Sequence, residues 1–259
     1  MKKSMQWWDY TSNELREIAP ESVVFQPVGS VEQHRHLPLA TDSFISRDIS
    51  RRLCEKMEKE GYPALFLPLM PYGKSNEHMM FPGTITYSAE TYMRVLMDIG
   101  RSAARAGVKK FVFINAHGGN SEVLDVVCRE LRIETGMQVF SVHPLGRLGV
   151  DMGGILVPQE KKLGIHAGRK ETAVLLRIAP HDVDTSHMEK DYSMDFKEYK
   201  YIDYSGRVSF GWMAQDVSLS GAVGNPEGAT AEEGEIILSN AVEALYEACL
   251  EILKFEFVQ

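Results

Sequence analysis

Short apolar runs alternate with amphipathic helical stretches along most of this chain, and no other feature narrows its folding options as much. Val23 to Val28 is an apolar run ended by Gly29, and Thr41 to Gly61 follows with a helical stripe through Phe44, Ile49, Leu53 and Met57. Ala64 to Leu69 reads as a second strand, and Tyr87 to Gly107 as a helix with Tyr92, Val95, Leu96, Ile99, Ala103 and Ala106 on one face. The third cycle has Lys110 to Ile114 as a strand, Glu122 to Thr135 as a helix, and Gln138 to Val142 extended again. Strands joined through helices pair in parallel and bury both faces of their sheet. The expectation is therefore an α/β fold with a mostly parallel sheet and helices on both sides.

Further along, Lys170 to Ile178 predicts a helix stopped by Pro180, and Thr230 with Glu233 has capping-box spacing before a long final helix through Ile236, Ile237, Val242, Leu245 and Leu250. Between them, His187 to Gly221 mixes Tyr, Phe, Asp, Lys and Gly with no sustained period, and reads as an excursion that covers a site or meets another subunit. A length of 259 residues, 44% hydrophobic and 25% charged, suits one domain spanning 1–259.

The formal net charge of −8, without a long Lys/Arg run, argues against nucleic acid or anionic lipid and in favour of a small-molecule partner. No stretch approaches the roughly 18 consecutive apolar residues of a membrane span, so a cytoplasmic protein with no membrane partner is expected. Cys54, Cys128 and Cys249 form no CxxC pair, which points to reduced, buried thiols rather than disulfides or a thiolate zinc site.

Three elements carry candidate chemistry. Glu32 and His34 lie two apart just past the first strand, so in extended chain they project to one side, and Asp42 follows at the start of the next helix after a turn at Pro38. Imidazole mixed with carboxylate suits divalent metals. Asp42 beside Thr41 is equally a natural helix N-cap, and Arg35 and His36 suit an exposed loop. The second element, Asn115-Ala-His117-Gly118-Gly119-Asn120, follows the strand Phe111 to Ile114, at the end where parallel sheets bind ligands. Its glycines allow close backbone approach and expose amides to an oxyanion, although a tight turn with a structural histidine has the same look. In the third, His166-Ala-Gly-Arg-Lys-Glu171-Thr172, His166 precedes a helix whose first turn holds Glu171, so both can face one cavity, while dipole complementarity alone also accounts for a glutamate there.

These segments together resemble the creatininase (creatinine amidohydrolase) family over nearly the whole chain. The likeness is carried by Pro27 to Asp42, Phe81-Pro-Gly-Thr-Ile85, Asn115 to Asn120, His166 to Thr172, Gly221-Ala-Val-Gly-Asn-Pro226 and Ala229 to Gly234. The resemblance implies a three-layer α/β/α sandwich, a homohexamer, and a centre of two divalent metal ions, zinc with manganese or iron as alternatives. It also implies hydrolysis of a cyclic amide or related bond. Relatives of the fold that act on N-formyl pyrimidine nucleotides or on inositol-derived cyclic diketones supply the alternatives, and a non-catalytic metal-bound sensor is a third. By motif position Glu32 and His117 hold one metal, His34 belongs to the other, Asp42 bridges them, and His166 protonates the leaving group. Ser75 and His78, in Gly73-Lys-Ser-Asn-Glu-His78, match a family loop near the substrate.

The match has departures. The family reads EQHGPHLP where this chain is one residue shorter, so His36 competes with His34 as ligand. Creatininase itself carries a tyrosine and a metal-binding glutamate directly after the histidine, at the places of Gly118 and Gly119. The missing carboxylate is then expected from Glu171, with Glu122 second, and creatinine is a doubtful substrate.

Overall fold

The structure, a computed structural model, describes residues 5–204 and 207–258. Its sheet has four strands, β1 (Val23–Val28), β2 (Ala64–Phe66), β3 (Lys110–Asn115) and β4 (Gln138–Val142), in the order β2-β1-β3-β4 and parallel throughout. The order places β1 and β3, the two most apolar runs, in the middle. Both are buried on each face, with one intermediate residue, Lys110.

A short helix α1 (Ser12–Ile18) precedes the sheet, and α2 (Thr41–Glu60), α3 (Ala89–Arg105) and α4 (Ser121–Thr135) connect its strands. Three more follow before the long C-terminal one: α5 (Pro158–Leu163), α6 (Arg169–Ile178) and the single turn α7 (Ala214–Val217), then α8 (Ala231–Lys254). Helices α2, α6 and α8 pack together on one face of the sheet, while α3 and α4 pair on the other. This is the three-layer α/β/α arrangement. On the first face Phe25 stacks on Phe66 with centroids 4.8 Å apart, and truncating such a ring to Ala costs about 3–5 kcal/mol.

Two boundaries differ from expectation for a backbone reason. The second strand stops at Phe66 rather than Leu69, because the chain leaves register there: Leu67 N still donates to Phe25 O at 2.9 Å, but the next bond to β1, at Pro27 O, comes from Met70 N instead of Leu69 N. Pro27, inside β1, is tolerated because its own missing N–H falls where β2 has ended, and its carbonyl still accepts from Met70 N at 3.0 Å. Helix α3 begins at Ala89, capped by Ser88 Oγ accepting from Thr91 N, and the expected Thr230 and Glu233 capping box opens α8. Cys54 and Cys249 are buried free thiols, whereas Cys128 is only half-buried. Among the described residues no helix is long and apolar enough to cross a membrane.

Candidate metal centre

The carboxyl ends of β1 and β3 open into a cavity of about 540 Å³, and the candidate residues reach it from four chain segments. Past β1 the chain passes Gly29, where a Cβ would stand 2.6 Å from Ser43 Oγ and 2.7 Å from Ser43 Cα. Glycine therefore lets the strand end press against the first turn of α2. That approach brings Ser30 Oγ to donate to Asp42 Oδ2 at 2.6 Å. Asp42 is not the helix cap: Ala40 takes that place without a side-chain bond, and the carboxylate turns to the cavity.

The loop after Gly29 closes in a tight turn, with Leu37 N donating to His34 O at 2.9 Å and Arg35 at φ 51°. His34 Nδ1 donates to Glu32 O at 3.1 Å, which leaves Nε2 without its hydrogen in the neutral ring. That Nε2 lies 3.6 Å from Asp42 Oδ1 and 3.9 Å from Glu32 Oε1. From β3, Asn115 Oδ1 accepts from His117 N while its amide donates to His117 O, so the strand end is locked before the glycine turn. His117 then places Nδ1 3.0 Å from Asp42 Oδ2 and Nε2 3.3 Å from Glu32 Oε2. Glu32, His34, Asp42 and His117 thus converge.

His166 enters just before α6. Its Nε2 donates to Gln33 O at 2.7 Å, because a carbonyl only accepts, and Nδ1 faces Glu32 Oε1 at 3.7 Å. Its ring lies between those of His34 and His78, 4.2 and 4.3 Å away. The next residue, Ala167, has φ 52°, and its N–H donates to Glu171 Oε2 at 2.7 Å, which holds Glu171 at the cavity. Ser75 is buried with Oγ 3.2 Å from His117 Nε2, and Gly118 and Gly119 line the wall.

Two expected competitors lie elsewhere. His36 pairs its Nε2 with Thr172 Oγ1 at 2.8 Å, away from the cluster, because the tight turn points it behind His34. Glu122, at the start of α4, stays at the exposed rim and pairs with Arg147 at 3.0 Å.

Sequence reading passed over Gln33 and Glu77. Gln33 Nε2 donates to Gly221 O at 2.8 Å and to His78 Nδ1 at 2.9 Å, so His78 carries its hydrogen on Nε2, toward Glu32 Oε1 at 3.5 Å. No spacing rule announces such an amide. Glu77 places Oε1 3.6 Å from His117 Nε2, and its adjacency to His78 was the available signal.

Electrostatics follow from burying acids and imidazoles together. Burial, with Asp42 adding, lifts the Glu32 carboxyl to about 7. Burial also raises Glu171, again with help from Asp42. Asp42 resists the same burial because His34 and His117 flank it, and it stays well below the usual carboxylate range. Burial would depress His34 and His117, but the carboxylates around them prevail, Asp42 foremost at His34 and Glu32 at His117, and lift the two to about 9 and about 10. His166 has the opposite fate. Burial, then the neighbouring His34 and His78, hold it well below the ordinary imidazole value, so it is neutral near pH 7.

The donor set fits a divalent metal. Glu32, Asp42 and His117, and separately Glu32, His34 and His166, offer ligand atoms within 4.8 Å of one another. Glu32 Oε2 and His34 Nε2 are buried and accept no hydrogen bond among the described residues. Such unmet acceptors in a dry site are costly unless a cation meets them.

The family model described as creatinine amidohydrolase matches residues 8–249. The mycofactocin precursor peptide peptidase of Mycolicibacterium smegmatis is 36% identical over 239 residues, covering 90% of this chain and 85% of that one. A crystal structure of creatinine amidohydrolase (creatininase) superposes with a TM-score of 0.77 at 25% identity, over 98% of this chain and 100% of that one. A mutant creatininase of Zn-Zn type gives 0.75 at 26%, over 96% and 98%.

Proposed function

The chain belongs to the creatininase family, and from that premise we propose that it is a metal-dependent amidohydrolase cleaving an amide bond of a peptide-derived substrate. The observation that carries this reading is the pair of unmet acceptors, Glu32 Oε2 and His34 Nε2, buried beside Asp42 and His117. In our assignment Glu32 and His117 would hold one ion and His34 and Glu171 the other, with Asp42 available to both; zinc is the first choice, with manganese or iron as alternatives. Bound there, the ions supply Lewis acidity toward a carbonyl and bring the pKa of water toward neutrality.

The remaining steps belong to side chains. Gln33 O keeps the hydrogen of His166 on Nε2, so the neutral ring presents Nδ1 as an acceptor in the cavity. His166 takes the proton of the attacking water and returns it to the departing nitrogen, the two halves of general acid–base catalysis. His78 Nε2–H faces Glu32 and steadies its carboxylate.

A peptide suits the cavity better than a small ring. A Cβ on Gly118 would meet no atom within 4 Å, so no side chain closes that wall over a compact substrate, and the peptidase of M. smegmatis acts on a precursor peptide. A small cyclic amide is the second reading, favoured by the creatinine amidohydrolase description of the family. The same reading includes a single domain, a homohexamer and a cytoplasmic location, checked by light scattering and cell fractionation. Hydrolysis of a panel of peptides, lactams, formamides and cyclic diketones, with and without chelator, tests the function. Peptide cleavage abolished by chelation is expected. Turnover of creatinine above that of every peptide would reverse the preference, and turnover indifferent to chelation would end the metal reading.

A further inference from the structure

The centre has a carboxylate beyond Asp42 at its His34 end, Glu171, and the structure offers a counterpart at its His117 end. We propose that Glu77 is a further metal ligand, the carboxylate that completes the His117 side of the centre. The inference rests on the metal reading given above.

Glu77 is half-buried in the cavity wall, and its two oxygens have separate surroundings. Oε2 lies 3.7 Å from Lys74 Nζ, whereas Oε1 lies 3.6 Å from His117 Nε2. A Glu77 oxygen also falls within 4.8 Å of a ligand atom of Glu32, whose Oε2 is buried, unmet, and 3.3 Å from the same His117 nitrogen. His117 Nε2 itself donates to Lys74 O at 3.0 Å, so the free ligand atom of that ring is Nδ1, and the Glu32 and Glu77 carboxylates are what this side offers an ion. His78, the third member of that group, is excluded as a ligand because Gln33 occupies its Nδ1 and leaves a hydrogen on Nε2.

Gly119 gives the independent observation. A Cβ there would collide with Glu77 Oε1 and stand 2.5 Å from Lys74 O and 2.6 Å from His117 Nε2. The space beside His117 is filled by the Glu77 carboxylate and Lys74 O, and it has no room for a side chain at 119. Glycine at 119 and glutamate at 77 are therefore one device: the loop before the Phe81-Pro-Gly-Thr segment delivers the acid that the turn after His117 has no room to carry.

Calorimetric titration of the chelator-stripped full chain with Zn²⁺, paired with metal analysis, tests this. Wild type should bind two ions. Glu77→Ala should weaken one of them at least tenfold and leave the other near its original affinity. Glu77→Gln should resemble it, because a neutral amide ligates poorly although it still accepts hydrogen bonds. Wild-type affinity in Glu77→Ala, or full retention in Glu77→Gln, would overturn the proposal, the second by showing that a hydrogen bond suffices. If wild type itself binds no Zn²⁺, the metal reading falls first, which keeps the two failures distinct. Should Glu77→Ala misfold by circular dichroism, the Gln variant alone decides.

Discussion

In one part of the site Glu32, His34, Asp42 and His117 are exposed by 4% or less, Asp42 and His117 fixed by the start of α2 and the end of β3, and Glu32 and His34 by the hydrogen-bonded turn that follows β1. In another, at residues 203–204 and 208–212, the lining is irregular chain bearing the half-buried rings of Tyr204, Phe210 and Trp212. Those rings rest on a buried residue: Phe196, 2% exposed, meets Tyr204 edge-on at 4.7 Å and Phe210 at 6.0 Å. The difference is one of tolerance. Charge held in a dry site has to be met within a few tenths of an ångström, which regular elements and backbone hydrogen bonds provide. Apolar contact is non-directional and survives a looser frame. We therefore assign chemistry to the first lining and substrate preference to the second.

Substitutions sharpen that division when ranked by effect. Asp42→Ala should be the most severe, since Asp42 meets both His34 and His117; metal content should fall, and affinity should drop beyond the roughly 10- to 100-fold that an outer-shell partner is worth. Unchanged metal content would remove Asp42 from the shared position. His166→Ala should keep metal and fold yet lose about 10² to 10⁴ in turnover, with a smaller loss for a substrate whose leaving group needs no proton. Loss of metal in that variant would make His166 a ligand. Glu171→Ala should weaken the binding of one ion by at least the roughly 10-fold that even an outer-shell partner is worth, and excess metal should restore part of its activity.

The aromatic lining should respond more gently. Trp212→Ala is expected to leave metal content intact and raise KM for an aromatic peptide by roughly 2- to 10-fold, the worth of one ring contact at about 0.5–1.5 kcal/mol. A drop in metal content there would erase the distinction between the linings. Far from both, Glu235 sets the floor. Arg52, then Arg177, holds its carboxyl at about 2, below the ordinary 4.5. A depressed acid stabilises fully above 4.5, and that contribution is lost as pH falls through about 2. Because the pair is partly exposed, screening keeps the effect under about 1 kcal/mol. Melting curves of Glu235→Gln and wild type should differ slightly at pH 7 and converge toward pH 2.

Legibility in the sequence followed the same division. Strands β1, β3 and β4 showed as apolar runs, and the charged residues stood in short motifs, so Glu32, His34, Asp42, His117, His166 and Glu171 were all picked out; five of them line one cavity and His34 sits beside Glu32 and His166. What escaped depended on three-dimensional neighbours. The end of β2 was set by the shift of register that lets Met70 rather than Leu69 reach Pro27 O, and Glu122 could not be told from a ligand until α4 turned it to Arg147. Gln33 acts through its contacts with Gly221 and His78, far apart in the chain, and the aromatic lining has no period to read.

The central claim is that the buried Glu32, His34, Asp42 and His117 cluster holds the metal. Anomalous diffraction at the zinc edge, from crystals of untagged protein loaded with Zn²⁺, addresses it directly. The expected result is two peaks per chain within about 2.0–2.3 Å of donor atoms from these residues, with Asp42 touching both. Peaks only at the exposed rim near Glu122, or none in the cavity at full loading, would contradict it.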